Sequence, residues 1–146
     1  MDDHGGTLKN QVLAALVIWL GVNIPVALAD DAAEKAASAA ATIWLGQIDS
    51  ANYANSWKNA SAYFRGAMTE KSWTDALNGS RKPLGKLLLR KLNHAQSANS
   101  LPGAPDGNYV VMQFDTSFTN KKGAVETVTF MQEKDGKWKA AGYYIK

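Results

Sequence analysis

The fold is decided by residues 108–146, which read NYVVMQFDTSFTNKKGAVETVTFMQEKDGKWKAAGYYIK. Three runs rich in β-branched and aromatic residues cover 108–118, 124–132 and 138–145. Turn-forming segments separate them, Asn120–Gly123 first and then Lys134–Lys137, whose Asp-Gly pair is typical of a tight hairpin. The stretch therefore predicts three consecutive antiparallel strands.

The chain before this stretch has a helical pattern. Residues 31–48 are rich in alanine, and Tyr53, Trp57, Ala60 and Phe64 are spaced as one face of a short helix. Thr69 is a suitable N-cap for a third helix that carries Trp73. The leucines at 87–92 indicate the start of a first strand, and residues 99–107 are expected to form a loop. Helices followed by strands predict an α+β domain, with three helices on one face of a four-stranded antiparallel sheet.

The turns suggest a register for the sheet. If Asn120 lies opposite Gly123 in the first hairpin, Asp115 lies opposite Val128 and Ser117 lies opposite Glu126. The second hairpin then places Val128 opposite Tyr143 and Phe130 opposite Ala141. The apolar face then carries Val110, Met112, Phe114, Phe118, Val125, Met131, Trp138 and Tyr144. The other face mixes polar residues with Val111, Val128, Phe130 and Tyr143. Because that face is too apolar to be fully hydrated, we expect a homodimer through it.

The N-terminus has the pattern of a signal peptide. An apolar run at 11–28 follows Lys9 and ends in Ala27-Leu28-Ala29, a small-x-small cleavage site. This predicts cleavage between Ala29 and Asp30, a domain at 30–146, and a periplasmic or secreted location. A membrane anchor is the alternative, since the run approaches the lower length limit for a span.

Composition excludes several classes of protein. The chain has 146 residues, 46% of them hydrophobic, which is typical of one globular domain rather than a disordered chain. It has no cysteine, so disulfides and thiolate metal sites are excluded. Its two histidines lie outside any metal-spacing motif, and we expect no metal and no cofactor. A net charge of +3 is too weak to indicate a nucleic-acid partner.

The sequence resembles one known family along almost its whole predicted mature length, residues 32–146. The resemblance is carried by the run SLPGAPDGNYVVMQFDTSFTNKKGAVETVTFMQEKDGKWKAAGYYIK and, upstream, by Trp44, 53–57, Phe64-Arg65, Trp73 and 81–85. These segments resemble a bacterial family of exported proteins, domain-of-unknown-function family 4019 (DUF4019). The family has no assigned activity, so the resemblance implies no catalytic residues. The order of helices and strands is also similar to that of the cystatin-like and nuclear-transport-factor-2-like (NTF2-like) cone folds.

Five residues are candidates for a ligand pocket. Asp115 beside Tyr143 is a pair in which an apolar pocket would raise the pKa of the carboxylate and make it a base. The favoured alternative is that Asp115 is a partly exposed strand residue bonded to Thr116, Ser117 or another neighbour. Trp57, Phe64 and Trp73 lie on helix faces directed at the sheet, where they either line a cavity or fill the core.

A basic segment is the second candidate site. Arg81, Lys82, Lys86, Arg90 and Lys91 stand within eleven residues with no acid among them. They predict an exposed positive surface for an anionic membrane, polymer or protein, or else a charged edge strand protected against aggregation.

No phosphate-binding loop, nucleophile elbow, triad or metalloprotease motif is present in the sequence. The sequence therefore predicts an exported, non-enzymatic binding or protein-interaction module with no catalytic residues. The alternative is a small-molecule carrier or small enzyme that uses a pocket between the helices and the sheet.

Overall fold

The structure is a computed structural model, and it describes residues 31–146. The helical half contains α1 (Asp31–Asp49), α2 (Tyr53–Lys58), α3 (Ala62–Ala67), α4 (Glu70–Ser80) and a 3-10 turn (Lys82–Leu84). The sheet contains β1 (Leu87–Ala98), β2 (Tyr109–Phe118), β3 (Lys121–Gln132) and β4 (Trp138–Ile145). The predicted signal peptide at 1–29 and its cleavage site lie outside the described residues.

The strands form one antiparallel sheet in the order β1-β2-β3-β4, with the helices preceding it in the chain. The predicted α+β class is confirmed. Each strand pairs with its neighbour in sequence, so β1 and β4 are the two edges. The main core lies between the sheet and the helices, chiefly α1, which contacts all four strands.

The region predicted as a single second helix is two short helices, α2 and α3. Ser61 separates them, because its backbone N–H donates to Ala140 O of β4 at 2.8 Å instead of continuing a helix. Its Oγ accepts from the N–H of Phe64 and caps α3. The predicted cap at Thr69 is present, with Oγ1 accepting from the N–H of Ser72 at 3.1 Å.

The register predicted for the β2–β3 hairpin is wrong. Asp115 pairs with Val125 rather than Val128, a shift of three residues, and Phe118 pairs with Lys121. The turn consists of Thr119 and Asn120, and its geometry is set by residues from outside the hairpin. Asn120 donates from its backbone N–H to Leu84 O and from its side chain to Pro83 O.

An odd shift turns the side chains of β3 to the opposite face of the sheet. Val128, Phe130 and Tyr143 are therefore in the core, and Val125 and Tyr144 are exposed. The predicted pairing of Val128 with Tyr143 is confirmed, but an irregularity after Thr129 places Phe130 opposite Ala140 instead of Ala141.

The face on which we expected a homodimer is thus not a surface, because three of its central residues are buried. On the true outer face, a second small cluster joins the loop at 99–108 to the sheet. Its buried members are Ala98, Leu101, Tyr109 and Ala141. The domain's own loop therefore covers one part of that face.

Candidate functional site: a buried charge network and its surroundings

The most unusual feature of the interior is a buried carboxylate, Glu126, whose exposed fraction is 0%. It points into the core from β3 because it alternates with Ala124 and Val128. Arg90 of β1 donates to it from two nitrogens, Nε at 2.7 Å and Nη2 at 3.2 Å. Such a bidentate pair supplies both the opposite charge and the hydrogen bonds that a buried carboxylate needs.

The network extends from Arg90 to the end of α1. Arg90 also donates to Asp49, from Nη1 at 2.7 Å and from Nη2 at 2.9 Å. Asp49 accepts in addition from Arg81 Nη2 at 3.2 Å. Burial opposes the charge on Arg90, but hydrogen bonds to Asp49 and Glu126 and their negative charges outweigh it and raise the pKa of the guanidinium.

Two hydroxyl groups complete the surroundings of Glu126. Thr116 of β2 donates to Oε1 at 2.7 Å, and the phenol of Tyr143 on β4 donates to Oε2. Burial first, and then the charge of Glu126 and this hydrogen bond, raise the pKa of Tyr143 well above its usual value. The phenol therefore remains a neutral donor throughout the physiological range.

The geometry leaves Glu126 without free acceptor capacity toward a ligand. Each of its oxygens already accepts from one arginine nitrogen and one hydroxyl. The network has no net formal charge, because the two cations Arg81 and Arg90 balance the two anions Asp49 and Glu126. Arg81 is anchored further by donating to Gly85 O at 2.6 Å and by lying over the Phe118 ring. The network therefore joins α1, the segment after α4 and all four strands of the sheet.

The five predicted ligand residues do not line one pocket. Phe64, Trp73 and Tyr143 meet in the core, with ring centroids 5.0 Å apart for Phe64–Trp73 and 6.1 Å for Trp73–Tyr143. Trp57 is half-buried beside the helices and donates to Met68 O at 2.7 Å. Asp115 is exposed on the outer face and accepts from Asn93 at 2.7 Å, so it does not meet Tyr143.

The aromatic cluster fills the space between helices and sheet. Trp44 stacks on Trp73 at 5.9 Å and meets the rings of Phe130 and Tyr143 edge-on. Both indole nitrogens bond to Ser56, Trp44 to its carbonyl and Trp73 to its hydroxyl, each at 2.8 Å. Since these rings pack against one another and their polar atoms donate to Ser56 and Glu126, this part of the interior is occupied by protein.

The basic segment divides into two groups. Our expectation that Arg81 and Arg90 are exposed without acidic partners is wrong, because Asp49 and Glu126 pair with them. Lys82, Lys86 and Lys91 are exposed. Lys91 lies opposite Asp115 in the register. Lys82 and Lys86 lie instead beside the β2–β3 turn, and we define the lysine lobe as the four exposed lysines Lys82, Lys86, Lys121 and Lys122.

Among the described residues, two open clefts flank α1. One, of about 400 Å³, has Trp44, Phe130 and Trp138 in its lining, together with Gln47, whose buried Oε1 has no hydrogen-bond partner among the described residues. The other, of about 520 Å³, lies at the start of α1 and is lined by alanines and by polar groups such as Asn108 and Gln132. Both clefts include Trp138.

Two further findings concern the part of the chain that the structure covers. Within residues 31–146, no helix is long and apolar enough to cross a membrane. No cluster of three or more histidine, aspartate or glutamate side chains in that range is arranged to hold a metal ion.

Sequence reasoning missed Glu126, Asp49 and Thr116 as members of the network. The signal for Glu126 was available, because it alternates with the apolar residues Ala124, Val128 and Phe130 along one strand. A charged residue in such a series is expected on the buried face and requires a partner. No comparable signal marks Asp49, which lies 41 residues before Arg90 in the chain.

Comparison with known proteins places the fold in a family. The profile of DUF4019, described as a protein of unknown function, matches residues 40–143. The chain therefore belongs to this family, as the resemblance predicted. Neither the curated proteins nor the solved structures gave a match.

Proposed function

We propose that this protein is an exported, non-enzymatic binding module that engages its partner through its surface. The observation that carries the proposal is the filled interior. The aromatic cluster occupies the space between helices and sheet, and the buried acid there, Glu126, is saturated by Arg90, Thr116 and Tyr143. A carrier or enzyme of the NTF2-like type would need an open space at that position.

Binding of a small apolar probe tests this proposal. The wild-type protein should take up no xenon or benzene in its interior. The Phe64→Ala variant, which removes a fully buried ring in contact with Trp73, should bind such a probe and lose about 3–5 kcal/mol of stability. Saturable binding by the wild-type protein at this position would show an open interior and favour the carrier.

The cleft of about 400 Å³ that Gln47 lines supports a second candidate function, that of a small-molecule carrier. It combines an apolar lining with the unpartnered Oε1 of Gln47, an arrangement suited to a mostly apolar ligand with one hydrogen-bond donor. Native mass spectrometry of the purified protein would show a retained ligand. An Ala40→Trp variant, which fills the cleft, should lose that ligand while the wild-type protein keeps it.

Export is part of the proposal and rests on the Ala27-Leu28-Ala29 sequence. The expected mature protein begins at Asp30 and is periplasmic or secreted. Intact-mass measurement of the exported protein tests this directly, and a species that retains residues 12–26 in the membrane fraction would favour an anchor instead.

A further inference from the structure

The lysine lobe is assembled by contacts between two distant segments. The 3-10 turn carries Lys82, and β1 begins just after Lys86. The backbone N–H of Thr119 donates to Lys86 O at 2.9 Å, and Thr119 Oγ1 accepts from the N–H of Lys86 at 3.0 Å. Lys121 and Lys122 follow this turn directly. Four cations are thus held together at one end of the sheet.

The charge of the lysine lobe is not compensated locally. Residues 82–91 and 116–125 contain no aspartate or glutamate. The neighbouring Arg81 and Arg90 add no net charge, because Asp49 and Glu126 balance them. At the opposite end of the sheet, the β3–β4 hairpin mixes acids with its lysines. The lysine end therefore produces a localised positive potential.

Exposed leucines lie beside these cations. Leu88 is 52% exposed and Leu89 is 65% exposed, and both follow Lys86 on the edge strand β1. The pairing with β2 shifts between Leu87 and Leu89, which interrupts the regular edge. Cations next to exposed aliphatic side chains suit the interface of a membrane, where lysines meet phosphates and leucines enter the acyl boundary.

A second copy of the chain fits this edge poorly. Antiparallel strand pairing centred on Leu88 and Leu89 would place Lys86 of one copy opposite Lys91 of the other. Like charges across a strand pair are destabilising. A second shift between Leu92 and His94 also leaves only a short regular edge. An anionic bilayer faces neither obstacle, because it complements the charge and accepts the leucines without strand pairing.

We infer that the lysine lobe, together with Leu88 and Leu89, binds the surface of a bilayer that contains anionic phospholipid. This inference rests on the surface-binding function proposed above and assigns it a partner.

Co-sedimentation with vesicles tests the inference. The wild-type protein should pellet with phosphatidylcholine vesicles that contain phosphatidylglycerol, but not with phosphatidylcholine alone, and added salt should release it. Lys86→Gln/Lys122→Gln should weaken binding about thirtyfold, from the free energy expected for two interfacial cations. Leu88→Ser/Leu89→Ser should weaken it about tenfold or more while leaving the salt dependence unchanged.

The matched control is Lys134→Gln/Lys137→Gln, which removes the same charge from the β3–β4 hairpin. This variant should bind within about twofold of the wild-type protein, because exposed charges are screened over about 10 Å. Circular dichroism melts should show all three variants to be folded, since every substituted residue is exposed.

Several outcomes overturn the inference. The first is a wild-type protein that does not bind anionic vesicles at low salt, and the second is a control variant that loses as much affinity as the lobe variant. The third is a wild-type dimer in sedimentation that Leu88→Ser/Leu89→Ser dissociates, which would give the edge to a second copy. None of these results affects the probe-binding test of the filled interior, so the surface-binding proposal fails or stands separately.

Discussion

Replacing Arg90 by methionine tests the buried charge network most directly. Methionine keeps much of the length of the side chain but removes every hydrogen bond that Arg90 donates. Glu126 would then keep only its two hydroxyl donors at a site with no exposure to water. Asp49 is affected less, because its side chain is 17% exposed and remains paired with Arg81.

The expected loss is about 3–5 kcal/mol, the range for removing one partner of a buried ion pair. This is a large part of the roughly 5–15 kcal/mol by which such domains are stable. With a urea dependence of about 2 kcal/mol per molar, the unfolding midpoint should fall by about 2 M. Lys91→Met is the matched control, because Lys91 is the exposed neighbour on β1, and it should change stability by less than about 0.5 kcal/mol.

A double-mutant cycle with Glu126→Gln identifies the cause of the loss. The amide removes the uncompensated charge, so Arg90→Met/Glu126→Gln should be more stable than Arg90→Met alone. Two urea results would refute the reasoning. One is an Arg90→Met midpoint equal to that of the wild-type protein, and the other is a double variant whose loss equals the sum of the single losses.

Three other substitutions examine neighbouring parts of the structure. Because the pKa of Tyr143 is raised in the folded protein, this phenol ionises in the unfolded chain first, above a pH of about 10. Above that pH the free energy of unfolding of the wild-type protein should fall by up to about 1.4 kcal/mol per pH unit through this group. Urea titrations should therefore show its advantage over Tyr143→Phe narrowing at alkaline pH, and a constant difference would contradict the raised pKa. Phe130→Lys should unfold the domain, as measured by circular dichroism, because Phe130 is only 1% exposed. A folded, monomeric variant would show that Phe130 lies on the surface. Gly85→Ala should lower the stability measured in thermal melts by about 2 kcal/mol, because Gly85 has φ +82° and a Cβ would lie 2.0 Å from Thr119 Oγ1. Gly123→Ala is the control and should lower stability far less, because the space around Gly123 is open.

Local pattern predicted the elements of the fold but not the register of every hairpin. The helix at 31–48, the cap at Thr69 and the strands after 108 all followed from propensity and alternation, which are properties of neighbouring residues. The β2–β3 turn was misplaced because Asn120 bonds to Pro83 and Leu84, more than thirty residues earlier. Asn-Lys-Lys-Gly has strong turn chemistry, yet these tertiary bonds place the turn at Thr119 and Asn120, two residues before the predicted Lys121 and Lys122.

The candidate site was predictable only in part, for the same reason. The basic segment was recognisable as a cluster of cations, but the sequence alone did not separate the inward arginines from the outward lysines. That separation depends on Asp49 and Glu126, whose positions relative to β1 are set by the packing of α1 and the register of β3. Phe64 and Trp73 were correctly directed at the sheet, whereas Trp57 lies beside the helices. Whether the rings lined or filled the space depended on how α1 and α4 approach each other.

The partners in the charge network also determine when it can be completed during synthesis. Asp49, Arg81 and Arg90 leave the ribosome first, whereas Glu126 follows Arg90 by 36 residues and Tyr143 is almost the last to appear. Until then the aromatic cluster lacks the ring of Tyr143, and Arg90 lacks Glu126, one of its two carboxylate partners. We therefore expect the early half of the chain not to fold by itself, and folding to occur in one step after the last strand is available. If the chain is exported as proposed, this delay keeps it unfolded until nearly all of it has been made.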